Sequence, residues 1–194
     1  GNMNTVRIGQ RTVAGWVRHL RTLNYSPATV YVRRESLGKL LRFLDRLEIT
    51  DFREVTSRHI EQWRHAMFSR GLAAATVNQR LRSARLFFAW LVKQGKIFDN
   101  PAAKLQPHRM PRPLPRVPSV DQVRKILGQP DAATVLGKRD RALLEVMYGA
   151  GLRVNETAAL RIDDLDLHSG LLRVRGKGAK ERMLPLGAIC IRAL

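Results

Sequence analysis

This chain has few of the features that stabilise secreted proteins or anchor membrane proteins. Its one cysteine, Cys190, cannot form an internal disulfide, and no group of Cys and His residues has the spacing of a zinc site. Its longest apolar run, residues 86–92, is far shorter than the roughly 20 residues that span a bilayer. No signal-peptide pattern opens the sequence. We therefore expect a cytoplasmic protein with no membrane partner, in which Cys190 is a small buried hydrophobe.

Acidic residues are also scarce. The chain has 16 Asp and Glu against 35 Lys and Arg, which gives a formal net charge of +19. So large a charge disfavours the compact state by self-repulsion unless a polyanion neutralises it. Nucleic acid is the obvious polyanion, and an anionic membrane surface is the weaker alternative.

Prolines concentrate in one segment and divide the chain. Six of the nine prolines and five Lys or Arg residues lie within residues 96–118. A helix cannot persist through such a segment, so it is predicted to be an extended basic linker. It could be a plain tether, but its charge favours contact with a DNA backbone. The predicted division is a helical domain at 5–97, a linker at 98–118 and a second domain at 119–194.

Four helices are predicted before the linker. The second has Ser26 as its N-cap and Pro27 at its first position, and the third ends at Gly71. Helical spacing gives the second and fourth helices apolar faces, made respectively of Val30, Leu37, Leu40, Leu41, Leu44 and Leu47 and of Val77, Leu81, Ala84, Phe88 and Leu91. Asn78, Arg80, Arg82 and Arg85 lie largely off the second of these faces. Such a basic face either contacts DNA or is simply solvated.

After the linker, three helices are predicted at 119–127, at 138–148 and from Arg153 onward. A β-hairpin of residues 171–175 and 183–186 follows, and then the start of a further helix. This order predicts an α+β domain, and the chain as a whole is predicted to be mainly α.

Two motifs of the second domain carry the chemistry. Gly149 and Gly151 allow a sharp turn just before Arg153, whose guanidinium at a helix N-terminus suits a phosphate. The hairpin turn presents Lys177 at its tip. Each residue alone has a plainer interpretation: Arg153 can pair with Glu156, and Lys177 can be a solvated turn lysine. Together they are typical of a site that handles phosphate.

These motifs, in this order, resemble the tyrosine recombinase (phage integrase) family, most closely the Xer-type bacterial recombinases. The resemblance covers nearly the whole chain: SPATVY at 26–31, TVNQRLRSARLFF at 76–88, NPAA at 100–103, LPRV at 114–117, RDRALL at 139–144, GLRVNE at 151–156 and GKGAKERMLPL at 176–186. It implies a four-helix SAM-like core-binding domain followed by a catalytic domain. It also implies contact with duplex DNA through Thr29, Arg33, Arg34, Asn78, Arg80, Arg82, Arg85 and Lys104.

The resemblance implies a role for each chemical residue. Arg153 would bind the scissile phosphate, Glu156 would buttress that arginine, and Lys177 would protonate the leaving 5′-oxygen. Strands would be broken and rejoined through a 3′-phosphotyrosine intermediate, without a metal or other cofactor. Asn155 departs from the serine common in the family.

A larger departure lies beyond the hairpin. The family requires a His-x-x-Arg motif, a further His or Trp and a tyrosine nucleophile, all after the hairpin lysine. The three tyrosines, Tyr25, Tyr31 and Tyr148, all precede Arg153. We therefore expect these 194 residues to be the inactive front half of a recombinase that acts as a tetramer on paired DNA sites. The alternative is a natural, non-catalytic DNA-binding fragment that competes for such sites.

Overall fold

The chain forms two compact units, Gly1–Pro113 and Leu114–Leu194. The structure, a computed structural model, describes residues 3–108, 114, 116–176 and 180–194. None of the described helices is long and apolar enough to cross a bilayer.

Unit 1 is built from the four predicted helices, α1 (Met3–Thr22), α2 (Pro27–Asp45), α3 (Ser57–Ser69) and α4 (Ala74–Lys93), with a 3₁₀ turn at Phe52–Glu54. The capping prediction for α2 is confirmed, because Ser26 Oγ accepts a hydrogen bond from the backbone N–H of Thr29 and Pro27 is the first helical residue. Leu47, predicted to be in the core, is exposed. The helix has ended before Leu47, so the helical spacing no longer points it inward.

The core of unit 1 follows the predicted apolar faces of α2 and α4. Val77, Leu81, Ala84, Phe88 and Leu91 are all buried, and Phe87 adds a ring that packs edge-on against Trp16 at 5.6 Å. The first helix, α1, is 20 residues long. Gly9 lies inside it, where a Cβ would come within 2.9 Å of Leu41 Cδ2, so the missing side chain lets α1 approach α2 closely.

The chain that follows α4 folds back onto unit 1. Ile97, Ala102 and Leu105 are buried in the same core. Asn100 Nδ2 donates to the carbonyl of Arg85 at 3.0 Å, while its Oδ1 accepts from the N–H of Ala102. The first part of the segment predicted as an extended linker is therefore packed against the helices. Residues 109–113 and 115 lie outside the described residues.

Unit 2 contains α5 (Val120–Leu127), α6 (Val135–Ala150), α7 (Val154–Ala158), a 3₁₀ turn at Ile162–Asp164, strands β1 (Leu165–Asp166), β2 (Leu171–Arg175) and β3 (Glu181–Pro185), and α8 (Ala188–Ala193). The predicted helix–hairpin order is confirmed. The short β1 was not predicted; it pairs antiparallel with β2 at one edge of a sheet of order β1-β2-β3. The buried core is Val146, Leu152, Leu172, Val174, Leu186 and Cys190.

The two glycines predicted to form a turn serve different purposes. Gly151 ends α6 with a left-handed φ of 64°, as a sharp turn requires. Gly149 instead lies within α6, where a Cβ would collide with Cys190 Sγ. Its prediction as a turn residue was wrong: Gly149 makes room for the buried thiol. Burial raises the pKa of Cys190, so the thiol stays protonated, and its Sγ lies 3.2 Å from the Glu145 carbonyl.

Candidate nucleic-acid interface

Arg153 is held at the start of α7 with its side chain in solvent. Buried Leu152 anchors the turn that precedes it, and Arg153 is the N-cap of the helix. Its backbone N–H donates to Glu156 Oε2 at 2.9 Å, and its Nη1 donates to Glu156 Oε1 at 3.2 Å. The Arg153 side chain nevertheless remains 79% exposed. The backbone and one guanidinium nitrogen are fixed, while most of the guanidinium faces outward.

A second arginine holds the same carboxylate. Arg182, in β3, donates from Nη1 to Glu156 Oε1 at 2.9 Å and from Nη2 to Glu156 Oε2 at 3.0 Å. The Glu156 side chain is 7% exposed. Hydrogen bonds from Arg182, and then from the Arg153 backbone, lower the pKa of Glu156 to about 2. We call Arg153, Glu156 and Arg182 the Arg–Glu–Arg cluster.

Arg182 was missing from the predicted site, although the sequence carries a signal for it. In the hairpin register Arg182 lies opposite Val174, which is buried. Cross-strand partners project from the same face of a sheet, so the arginine occupies a core-facing position. A charged residue at such a position requires a buried partner of opposite charge. Strand alternation applied to the predicted hairpin would have indicated that Arg182 needs a carboxylate.

We expect Glu156 to remain ionised far below the usual range of a carboxyl group. Because its folded pKa of about 2 lies below the ordinary 4.5, its contribution to stability is complete above pH 4.5 and is lost as the pH falls through about 2. A ¹³C NMR titration of the Glu156 carboxyl measures this. Arg182→Met should raise the midpoint toward 4.5. Arg175→Met, which removes an exposed guanidinium paired with Glu181, is the control and should not. A wild-type midpoint near 4.5 would contradict the assignment.

The predicted hairpin lysine, Lys177, lies outside the described residues, but the base of its turn does not. The N–H of Gly176 donates to the Lys180 carbonyl at 2.8 Å and closes the turn. A Cβ on Gly176 would lie 3.3 Å from Arg182 Nη1 and 3.6 Å from Glu156 Oε1. The turn that carries Lys177 therefore starts directly beside the Arg–Glu–Arg cluster.

The DNA-contact residues predicted on α4 lie in two different clefts. Asn78, Arg82 and Arg85 line one cleft of about 460 Å³ together with residues 105–107. Asn78 exchanges two hydrogen bonds of 2.9 Å with the backbone of His108. Arg85 donates to the carbonyl oxygens of Ala102 and Leu105. Both side chains therefore fix the returning chain, a role that the position off the apolar face does not reveal.

Arg80 lies in a separate cleft of about 490 Å³ between α2, α3 and α4. We call this the α2–α4 cleft; its cations are Lys39, Arg42, Arg46, Arg70 and Arg80, and its acid is Asp45. Among the described residues none of these five cations forms an ion pair. Burial lowers the pKa of Arg80. Arg80 lies on α4, and the other cations of this cleft lie on or directly after α2 and α3. They were not among the predicted contacts, because no single helix face contains them all.

The other predicted contacts are placed as follows. Thr29 Oγ1 lies 2.8 Å from Ser26 Oγ at the start of α2. The Arg33 guanidinium stacks over the Tyr25 ring at 4.2 Å. Arg34, Arg82 and Lys104 are exposed to solvent. These residues remain candidates for DNA contact.

Two single substitutions on α4 should separate a contact role from a structural role. Arg85→Ala should lower the free energy of unfolding of unit 1 by roughly 1–3 kcal/mol, because two carbonyl oxygens lose a charged donor. Arg80→Ala should leave stability nearly unchanged and weaken binding to duplex DNA. Chemical denaturation and a binding titration measure the two effects. Arg82→Ala is the control for the stability measurement, since Arg82 is exposed on the same helix. Equal stability losses for Arg82→Ala and Arg85→Ala would contradict the structural role.

Both units match known protein families and folds. Residues 117–194 match the phage integrase family, and residues 13–95 match the phage integrase N-terminal SAM-like domain. The tyrosine recombinase XerC of Xanthomonas axonopodis pv. citri is 47% identical over 138 residues, which are 71% of this chain and 45% of that protein. XerC of Xanthomonas campestris pv. campestris (strain B100) is 39% identical over 169 residues, or 87% of this chain and 52% of that protein.

The fold also resembles solved structures. A lambda integrase dimer (residues 75–356) bound to a COC′ core site superposes with a TM-score of 0.72 at 17% identity, covering 94% of this chain and 64% of that one. At this identity the likeness concerns the fold alone. The chain spans about half the length of the curated relatives that it matches.

Proposed function

This chain belongs to the phage integrase family of tyrosine recombinases, and we propose that it binds duplex DNA and positions one phosphate for strand cleavage and rejoining. The observation that carries the proposal is Arg153, which is fixed at its backbone by Glu156 but extends its guanidinium into solvent. A preorganised cation of this kind stabilises the charge that develops on a phosphate during transfer.

In this proposal each unit has its own task. Unit 1 binds the DNA backbone through the basic residues of α2, α4 and the chain that follows, among them Arg34, Arg80, Arg82 and Lys104. Unit 2 supplies Arg153 to the scissile phosphate and Lys177 to the leaving oxygen. The predicted division at 5–97, 98–118 and 119–194 belongs to this proposal. A second protomer on the same DNA is a further part of it, because the lambda integrase relative is a dimer on its core site.

Covalent capture on a nicked suicide duplex tests the proposal. The duplex carries a recombination site of the Xanthomonas axonopodis XerC relative. We expect a chimera of residues 1–194 followed by the C-terminal portion of that relative to form a 3′-phosphotyrosyl adduct. Residues 1–194 alone should bind the duplex without forming an adduct. The relative itself is the positive control. An adduct with residues 1–194 alone, or failure of these residues to bind duplex DNA, would contradict the proposal.

The role of Lys177 has its own test. A 5′-thiolate leaves without being protonated, so a general acid becomes dispensable on a substrate with that leaving group. In the chimera, Lys177→Ala should slow cleavage of the normal duplex by about 10²-fold or more and slow the thiolate substrate far less. Lys180→Ala is the control on the same turn. Equal defects of Lys177→Ala on both substrates would remove Lys177 from the role of general acid.

A further inference from the structure

The Arg–Glu–Arg cluster contains one carboxylate and two guanidinium groups. Glu156 Oε1 accepts from the Nη1 atoms of both arginines, and Oε2 accepts from the Arg153 backbone and from Arg182 Nη2. Both oxygen atoms of the buried carboxylate are therefore shared. The bonds from Arg182 are the shorter and form a bidentate pair, whereas the Arg153 guanidinium contributes one longer bond.

Because Glu156 binds both arginines, the charge of Arg182 determines the net positive charge that a phosphate meets at Arg153. Alone with Glu156, Arg153 would form a neutral pair, and a carboxylate beside it would repel an incoming phosphate. With Arg182 present, the cluster has a net charge of +1. Because Arg182 takes the bidentate geometry, the Arg153 guanidinium is held by a single bond and stays 79% exposed.

We propose that Arg182 is a positioning residue for phosphate binding: it neutralises Glu156, so that Glu156 orients Arg153 without cancelling its charge. The proposal rests on the proposed function of Arg153. Arg182 also links the start of α7 to the hairpin, since it lies on β3 and packs beside Gly176. One carboxylate then fixes the start of α7 and the base of the hairpin turn together.

Variants of the cluster make the proposal testable on the chain itself. Arg182→Met reduces the net charge of the cluster to zero, and Glu156→Gln raises it to +2. The Arg182→Met/Glu156→Gln double variant and Arg182→Lys each keep +1. If Arg182 acts by offsetting charge, phosphate affinity at Arg153 follows this order of charge. If Arg182 acts only by holding the fold, the double variant is no better than Arg182→Met.

The probe is inorganic phosphate at constant ionic strength, and the readout is the guanidinium ¹⁵N signal of Arg153 in the arginine-labelled chain. We expect Arg182→Met to bind phosphate at Arg153 about fivefold more weakly, the factor that one unit charge a few ångströms away is worth in a hydrated site. The double variant and Arg182→Lys should stay within about twofold of wild type, and Glu156→Gln alone should bind more tightly. Arg175→Met, which removes a hairpin arginine that pairs with Glu181, is the matched control and should leave the affinity unchanged.

Each outcome separates the two proposals. Wild-type affinity in Arg182→Met, or no recovery in the double variant, overturns the role of Arg182 while leaving Arg153 as the phosphate ligand. No response of the wild-type Arg153 signal to phosphate overturns the proposed function itself, and the role of Arg182 with it. Arg182→Gln removes the same charge as Arg182→Met, but its amide can still donate a hydrogen bond to Glu156. It replaces Arg182→Met in the experiment if that variant does not fold.

Discussion

Raising the salt concentration from about 50 to about 200 mM should weaken the binding of this chain to duplex DNA by about four orders of magnitude. The reason is its charge of +19 in 194 residues. If about eight phosphates are neutralised, the slope of log affinity against log salt is roughly −7, at about −0.9 for each phosphate of B-DNA. The α2–α4 cleft supports this expectation, since its five cations form no ion pair among the described residues. Fluorescence anisotropy of a labelled duplex over a salt series gives the slope.

Matched substitutions show which cations contribute to the slope. Arg80→Ala should flatten it by about one unit, because each lost phosphate contact removes one released counterion. Arg53→Ala is the control: it removes the same formal charge, but Arg53 is already paired with Asp51, its Nε lying 2.8 Å from Oδ2. A wild-type slope shallower than about −2 would exclude DNA binding dominated by phosphate contacts. An equal change in both variants would show that the net charge matters and the α2–α4 cleft does not.

Interactions between residues close in sequence could be predicted from the sequence alone. Ser26 and Pro27 locate the start of α2 because capping is a rule about neighbouring positions. Likewise, Arg153 and Glu156 are three residues apart at a helix start, so their contact follows from the spacing alone. The predicted apolar face of α4 is confirmed, because its residues repeat with the helical period and all pack into one core.

Contacts between residues far apart in sequence could not be predicted in this way. Arg182 meets Glu156 across 26 residues, and that contact requires the register of the hairpin as well as its existence. Arg85 bonds the backbone of Ala102 and Leu105 only because the chain after α4 turns back, whereas proline-rich composition indicates extension. The residues that line the α2–α4 cleft come from three helices and the chain beside them, so the pattern of one helix does not predict the cleft. The sequence therefore predicted the contact between Arg153 and Glu156, but not the distant residues that hold this pair or the returning chain.

The largest catalytic effect should come from Arg153. In the chimera completed with the C-terminal portion of the XerC relative, Arg153→Ala should slow covalent capture on the nicked duplex by about 10²- to 10³-fold, the usual consequence of removing one preorganised donor to a developing charge. Affinity for the duplex should change little, because in the proposed function unit 1 supplies most phosphate contacts and Arg153 acts chiefly in the transition state. Single-turnover rates at saturating protein separate these two quantities.

The contrast with a neighbouring arginine makes this result specific. Arg161 holds the corresponding place before the 3₁₀ turn at Ile162–Asp164, and its backbone N–H donates to Asp164 as that of Arg153 does to Glu156. Arg161→Ala should therefore disturb a local cap of the same kind without slowing capture. Arg153→Lys should recover only part of the rate, because an ammonium keeps the charge but not the planar fork that binds two phosphate oxygens. If Arg153→Ala and Arg161→Ala slow capture equally, Arg153 contributes to the fold of unit 2 and does not bind the phosphate.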